Sequence, residues 1–266
     1  MTGSSARQGG PATPARRASR NPLERLFAKQ RREGVVTATG MVTPTMKRVR
    51  IACGALAGAG VPPGRHVRIQ INDPLSLHGV LRPGETLRTY SIWEHVPESG
   101  EFEIRAHLYE GEGIGLTWAR NVTEGERLCF WGPLGDFDLQ PDAPYHLFVG
   151  EETAAAAFGP MIRALGPGAR VHGLLESGSA AEEVPVPGGH PLVRVHRDGA
   201  SAVSSPTLLE ALAALDLPDE PGAAYVAGEA LTARAVRDHL VGARSWPRTR
   251  VRVKPFWTPA KRGLHH

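Results

Sequence analysis

Cysteine is nearly absent: the 266 residues hold two, Cys53 and Cys129, too few for a disulfide scaffold and without metal-ligand spacing. Both read as small core or strand residues, and a reducing, cytoplasmic setting is expected. Long apolar runs are missing too. No stretch approaches the ~18 residues that would cross a bilayer, and the N-terminus has no continuous apolar segment of the secretory kind, so neither a span nor a leader is expected. Aromatic residues are sparse, at 6%, and Phe27 alone stands within the N-terminal basic stretch. Acid is scarce at both ends: residues 1–34 carry eight Lys/Arg against two Asp/Glu, and residues 244–266 carry seven against none. With +4 overall, this leaves residues 35–243 at −9. The pI of 9.4 therefore describes two ends rather than a basic face, and no nucleic-acid partner is expected. What remains, 41% hydrophobic and 22% charged, is the composition of an ordinary globular protein.

The texture changes once along the chain. Residues 1–33 read as a disordered basic tail, rich in Gly, Pro, Ala and Ser, with a short helix allowed over Asn21–Arg32 from Pro22. From residue 34 to 142 the pattern is strand-like. VVTATGMVTPTMKRVRIAC, HVRIQIN, LRTYSIW, GEFEIRAHLY and ERLCFWGP alternate apolar and polar residues, with VPPG, RPGE, PESG and TEGE as turns. Short strands so punctuated imply an antiparallel β-barrel, interrupted by one glycine-led helix, GIGLTWARNV. From residue 143 to 266 strands and helices alternate: YHLFVG, TAAAAFGPMIRAL, VHGLLES, PLVRVHR, SPTLLEALAAL, AAYVAG, TARAVRDHLV and RVRVKPFW. That alternation implies right-handed crossovers and a parallel α/β sheet.

Two segments of the barrel half carry chemistry. Arg88-Thr89-Tyr90-Ser91 puts a guanidinium and a ring on one side of a strand, with hydroxyls and backbone groups on the other. Gly113-Ile114-Gly115-Leu116-Thr117-Trp118 opens a helix. Its N-terminal N–H groups suit a pyrophosphate, and glycine lets the phosphate approach. A ring site and a phosphate site one strand apart are what a flavin dinucleotide needs.

The order of these motifs, with His107 between them, resembles the siderophore-interacting protein family, an FAD-binding branch of the ferredoxin reductase-like superfamily. Three further matches follow. Gly150-Glu151-Glu152-Thr153-Ala154 resembles the family's Gly-Asp/Glu-Glu-Thr-Ala turn. Tyr225-Val226-Ala227-Gly228-Glu229-Ala230 resembles its Val-Ala-Gly-Glu-Ala signature, with Arg234 and Arg237 after it. Lys254-Pro255-Phe256-Trp257 with Lys261-Arg262-Gly263 is similar to its closing segment. The resemblance covers about residues 34–263. The chain departs from the family at Trp93, where an Arg is usual, at Ile114, where a Pro is usual, and in a Thr-Pro-Ala insertion after Trp257.

Family membership would imply a two-step flavoenzyme: NADPH or NADH reduces FAD, which passes single electrons to Fe(III) in a ferric siderophore to release Fe(II). Arg88, Thr89, Tyr90, Ser91, His107, Gly113, Gly115, Leu116, Thr117 and Trp118 would hold FAD. Glu152, Thr153, Ala154, Gly228, Glu229, Ala230 and Arg234 would border the nicotinamide nucleotide. Lys47, Arg48, Lys254, Lys261 and Arg262 are the cations expected to meet an anionic ferric siderophore. No protein-bound metal and no protein nucleophile is expected, and a monomer is expected. Two other readings stand beside this one: a flavin reductase or redox partner of the same fold serving another acceptor, and a non-enzymatic siderophore- or flavin-binding protein.

Overall fold

The computed structural model describes residues 31–72 and 86–259. The N-terminal tail through residue 30, with most of its expected helix, and Lys261 and Arg262 lie outside the described residues.

Six strands close an antiparallel barrel in the order β1-β2-β5-β4-β3-β6: β1 (Arg31–Thr43), β2 (Met46–Ala52), β3 (His66–Gln70), β4 (Leu87–Val96), β5 (Glu101–His107) and β6 (Arg127–Leu134). Strand β1 already pairs at Arg31–Glu33 with β6, so these three residues, expected in the tail, are part of the barrel. The long alternating run over residues 35–53 is two strands: the chain turns at Pro44 and Thr45, and Thr43 meets Met46 across the hairpin. Inward positions of β1–β6 (Val36, Val49, Ile51, Val67, Ile69, Phe102, Ile104, Phe130) form one buried cluster. Helix α1 (Ile114–Asn121) plugs one end with Leu116 and Ala119 buried.

The second half is a five-stranded sheet ordered β11-β10-β7-β8-β9, from β7 (His146–Gly150), β8 (Val171–Ser177), β9 (Val193–His196), β10 (Ala223–Glu229) and β11 (Val251–Trp257). All four pairings are parallel. Helices α2 (Glu152–Leu165), α3 (Pro206–Ala214) and α4 (Ala230–Asp238) supply crossovers. The chain leaves β7 in one direction to β8 and β9, then returns to β10 on the other side. The carboxyl ends of β7 and β10 therefore flank a switch point, where folds of this class bind ligands.

The halves pack through α2. Trp93 on β4 is 4% exposed and lies so close to Gly159 that a Cβ there would fall 2.1 Å from the indole Cζ3. The Arg105 guanidinium lies 3.2 Å from the same ring's centroid, a cation–π contact. Trp93, a departure in the sequence, is thus part of the interdomain packing. No helix among the described residues is long and apolar enough to cross a membrane.

Candidate functional site

A single cavity of about 1380 Å³ runs between the halves. Its barrel wall begins at α1, whose N-cap is Gly113 with no side chain capping it. The first N–H groups of α1 are thus left for a ligand, and Gly113, Ile114, Gly115 and Leu116 all line the cavity. Arg88 lies along this turn, close enough that a Cβ on Gly115 would be 2.7 Å from its Cγ. The Tyr90 hydroxyl donates to the Gly115 carbonyl at 3.2 Å, and its ring packs against Trp118 at 5.5 Å between centroids. Burial pushes the Tyr90 phenol well above its usual range, so it stays a neutral donor. Thr89, Ser91, His107, Thr117 and Trp118 complete this wall. Burial lowers the His107 imidazole, against a smaller opposing pull from Glu152.

The opposite wall is the β7–α2 turn. Glu151, 2% exposed, is the N-cap of α2. Its carboxyl accepts from the Thr153 N–H at 2.7 Å, the Thr153 hydroxyl, and the Trp257 indole N–H at 2.9 Å. Burial, helped by the charge of Glu152, pushes this carboxyl up to about 7. Its neighbour has the opposite fate. Burial pushes Glu152 up as well, but the Arg197 guanidinium outweighs that and holds it below its ordinary value. Arg197 grips Glu152 at 2.7 and 3.0 Å and Glu176 at 3.2 Å; Glu176 also accepts from the Ser205 hydroxyl.

Basic side chains stand at another part of the cavity wall. His66, Arg68 and Lys254 line it, with Lys254 Nζ 3.4 Å from His66 Nδ1 and 5.8 Å from the Phe137 ring. Burial lowers the Lys254 ammonium, and Asp136 partly opposes that.

Several sequence candidates lie elsewhere. Lys47 does not face the cavity: its ammonium donates to the Arg120 and Val122 carbonyls at 3.1 and 3.0 Å, closing the C-terminal end of α1. Arg48 is exposed on β2, beside Gly40. Ala154 is fully buried in the core beneath α2. Glu229 caps α4 through Thr232 N at 2.8 Å and accepts from Ser204 N at 3.3 Å. Gly228, at φ +112, brings its turn against the Glu151 carboxyl, where a Cβ would be 2.6 Å from Oε1; Ala230 follows at the start of α4. Arg234, its side chain 71% exposed, faces Asp238 at 3.8 Å. Conversely, Glu151, Trp257, Arg197, Arg105, His66, Arg68 and Tyr109 line the cavity and were not singled out as site residues. Glu151 and Trp257 stood inside motifs; the others carried no local signal.

The donor set fits a flavin dinucleotide. The unblocked N–H groups of α1, the Arg88 cation beside them, the glycine that lets both approach, and a wall with Tyr90 and Trp118 match its phosphates and its rings. The same description fits no metal, and among the described residues no group of three or more His, Cys, Asp or Glu is placed to hold one.

Comparison with known proteins gives a consistent picture. Residues 143–260 match the family model described as siderophore-interacting protein. A siderophore utilization protein from T. fusca superposes with a TM-score of 0.76 at 25% identity, over 89% of this chain and 95% of that one. The siderophore-interacting protein SipS from Aeromonas hydrophila gives 0.72 at 27% identity, over 87% and 93%. The FAD/NAD-binding domain of a nitric oxide dioxygenase from Vibrio cholerae shares the fold, with a TM-score of 0.68 at 19% identity over 86% of this chain and 99% of that one. In sequence, the mycobactin import ATP-binding/permease protein IrtA of Mycolicibacterium smegmatis is 25% identical over 246 residues, 90% of this chain. This chain spans only about a quarter (27%) of that relative's length. The chain is thus similar to siderophore-interacting proteins along most of its length, and its two halves form the ferredoxin reductase-like two-domain fold.

Proposed function

We propose that this protein is an FAD-dependent NAD(P)H oxidoreductase that reduces Fe(III) in ferric siderophores, releasing Fe(II) in the cytoplasm. One observation carries the reading: a continuous cavity joins the N-terminal turn of α1, the Arg88–Ser91 strand, the turn after β7 and the basic residues His66, Arg68 and Lys254. Donor, relay and acceptor would then share one space. Arg88 and the N–H groups at the start of α1 would hold the FAD phosphates. Tyr90, Ser91 and Thr89 would meet the ring system, and the turn at Glu152 and Thr153, with Trp257, would receive the nicotinamide. When bound, FAD converts the two-electron hydride donor into a source of single electrons.

The chain's own work is positioning. The Tyr90–Gly115 hydrogen bond fixes the strand against the helix turn, and the Arg197 clamp on Glu152 and Glu176 fixes the nucleotide-facing turns. Packing of α2 on Trp93 sets the spacing between the two walls. Lys254, His66 and Arg68 present positive charge where an anionic ferric chelate would enter, which acts mostly on encounter rate and orientation.

The test is an anaerobic visible spectrum of FAD-loaded protein. Nicotinamide nucleotide should bleach the flavin, and a ferric hydroxamate or catecholate should restore its colour, with Fe(II) trapped by a chelator. Bleaching without faster reoxidation by ferric chelates would move the acceptor elsewhere. Absence of flavin binding would remove the enzyme reading.

A further inference from the structure

The nicotinamide half of the cavity contains two adjacent carboxyls, and the structure uses them differently. Glu152 is neutralised by Arg197 and also accepts from the Gly178 N–H at 2.8 Å. Among the described residues, Glu151 has no cation partner. Its neighbours from each surrounding element are Glu152 on α2, itself spent on Arg197; Glu229 beyond Gly228, whose Oε2 accepts from Thr232 and Ser204 while its Oε1 is buried without a hydrogen-bond partner; and Trp257 at the end of β11. His107 on β5 and Lys254 on β11 line the same cavity, the latter beside His66. An acid acting only as a helix cap is served by ionisation, because the helix N-terminus is positive; Glu151 sits where ionisation is opposed.

Its hydrogen-bond directions are informative. The Thr153 N–H and the Trp257 indole can only donate. The Thr153 hydroxyl is the one partner that both donates and accepts, and Thr153 is partly exposed on the cavity wall. A proton can therefore reach or leave the Glu151 carboxyl through that hydroxyl.

Resting on the function proposed above, we propose that Glu151 is the proton acceptor of the oxidative half-reaction, reached through the Thr153 hydroxyl. The balance of the reaction leaves one proton for such a group to take. One NAD(P)H and two ferric chelates give one NAD(P)⁺, two ferrous ions and one proton. The hydride brings two electrons and one proton, each Fe(III) takes one electron, and the proton stays behind. A proton released during reoxidation would pass to Thr153 Oγ1 while the hydroxyl's own proton forms the O–H bond on Glu151 Oε1. The carboxyl then loses that proton to solvent and is reset.

Three variants test this in FAD-loaded protein: Glu151→Gln, Thr153→Val and Thr153→Ser. Infrared difference spectra between oxidised and reduced protein should show a protonated-carboxyl band that disappears in Glu151→Gln. Stopped-flow reoxidation by a ferric hydroxamate should show a solvent isotope effect and rise with pH in the native protein. In Glu151→Gln and Thr153→Val it should be slower by about 100-fold, the lower end of general-base contributions, with a flattened pH profile, and Thr153→Ser should recover most of the rate. If Glu151→Gln and Thr153→Val reoxidise at the native rate, or His107→Asn alone flattens the profile, the relay is overturned. Native protein that is not bleached by NAD(P)H overturns the functional reading itself, and the relay with it.

Discussion

Removing Arg197 should expose the energetics of the turns after β7 and β8. Its side chain is 10% exposed, and the carboxylates it binds, Glu152 and Glu176, are 2% and 0% exposed. Arg197→Ala leaves both without a cation in a low-dielectric setting. Stripping one partner from a buried pair costs about 3–5 kcal/mol, or roughly 6–20 °C in melting temperature at ~2–4 °C per kcal/mol for a chain of this size. The loss has a pH signature. In the native protein Glu152 is held below its ordinary value, so its contribution is present above that range and fades as pH falls through the lowered value. In the variant the two carboxyls bind protons more readily folded than unfolded, so the penalty exists only where the unfolded chain is ionised. The gap between native and variant proteins should be widest at pH 8 and shrink towards pH 5. Arg197→Lys should fall between them, since one ammonium cannot span three oxygens that a planar fork reaches. Adding Glu152→Gln to Arg197→Ala should recover part of the loss. Chemical denaturation of each protein at pH 5, 6.5 and 8 measures all of this. A gap under about 1 kcal/mol, or one that does not change with pH, would refute the reasoning.

Other outcomes follow from single contacts. Gly115→Ala drives a methyl group into Arg88, so FAD affinity should drop by roughly 10-fold, about 1.4 kcal/mol; titration of apoprotein with FAD decides, and an unchanged Kd sinks the phosphate assignment. Gly159→Ala pushes a methyl group into the Trp93 ring and should cost about 1–3 kcal/mol by overpacking, seen as a lower melting temperature. Glu151 keeps its proton to about 7 instead of 4.5. The unfolded chain therefore loses that proton first as pH rises, and native stability should fall by about 3 kcal/mol between pH 4.5 and 7; Glu151→Gln should remove that part of the slope in denaturation curves. NADH should be preferred over NADPH, because Arg197 is consumed by Glu152 and Glu176, while Arg234 and Arg237 both face Asp238. A kcat/KM ratio favouring NADPH would contradict that.

Local pattern carried much of the fold and the barrel side of the cavity. Period-2 alternation marked the barrel strands, and the strand–helix alternation marked the parallel sheet. Glycines before an apolar helix marked α1, since only a backbone without side chains leaves those N–H groups open. What local pattern misjudged were residues whose partners lie far along the chain. Lys47 read as a surface cation, but it closes the end of a helix 73–75 residues away. Trp93 read as a disturbed ligand position, but it packs on α2 and stacks with Arg105. The hairpin within residues 35–53 was hidden because its turn, at Pro44 and Thr45, is only two residues long and apolar residues continue on both sides of it.

The pair at residues 151 and 152 shows where such reading stops. In sequence the two glutamates are equivalent acids at the mouth of a helix, and the family resemblance pointed to Glu152. Their difference is made by residues 45 and 106 positions away: Arg197 reaches Glu152, and Trp257 reaches Glu151. A cation on one and only neutral donors on the other separate the protonation behaviour of two adjacent identical side chains. Separating acids in this way is how a fold assigns one carboxyl to hold structure and leaves another free to exchange a proton. The division depends on Arg197 pairing with Glu152. Without that cation, Glu152 would itself take up a proton and the charge that helps hold Glu151 protonated would fade. Arg197→Ala should therefore shift the pH profile of Glu151 downward, although Arg197 makes no hydrogen bond or ion pair with it.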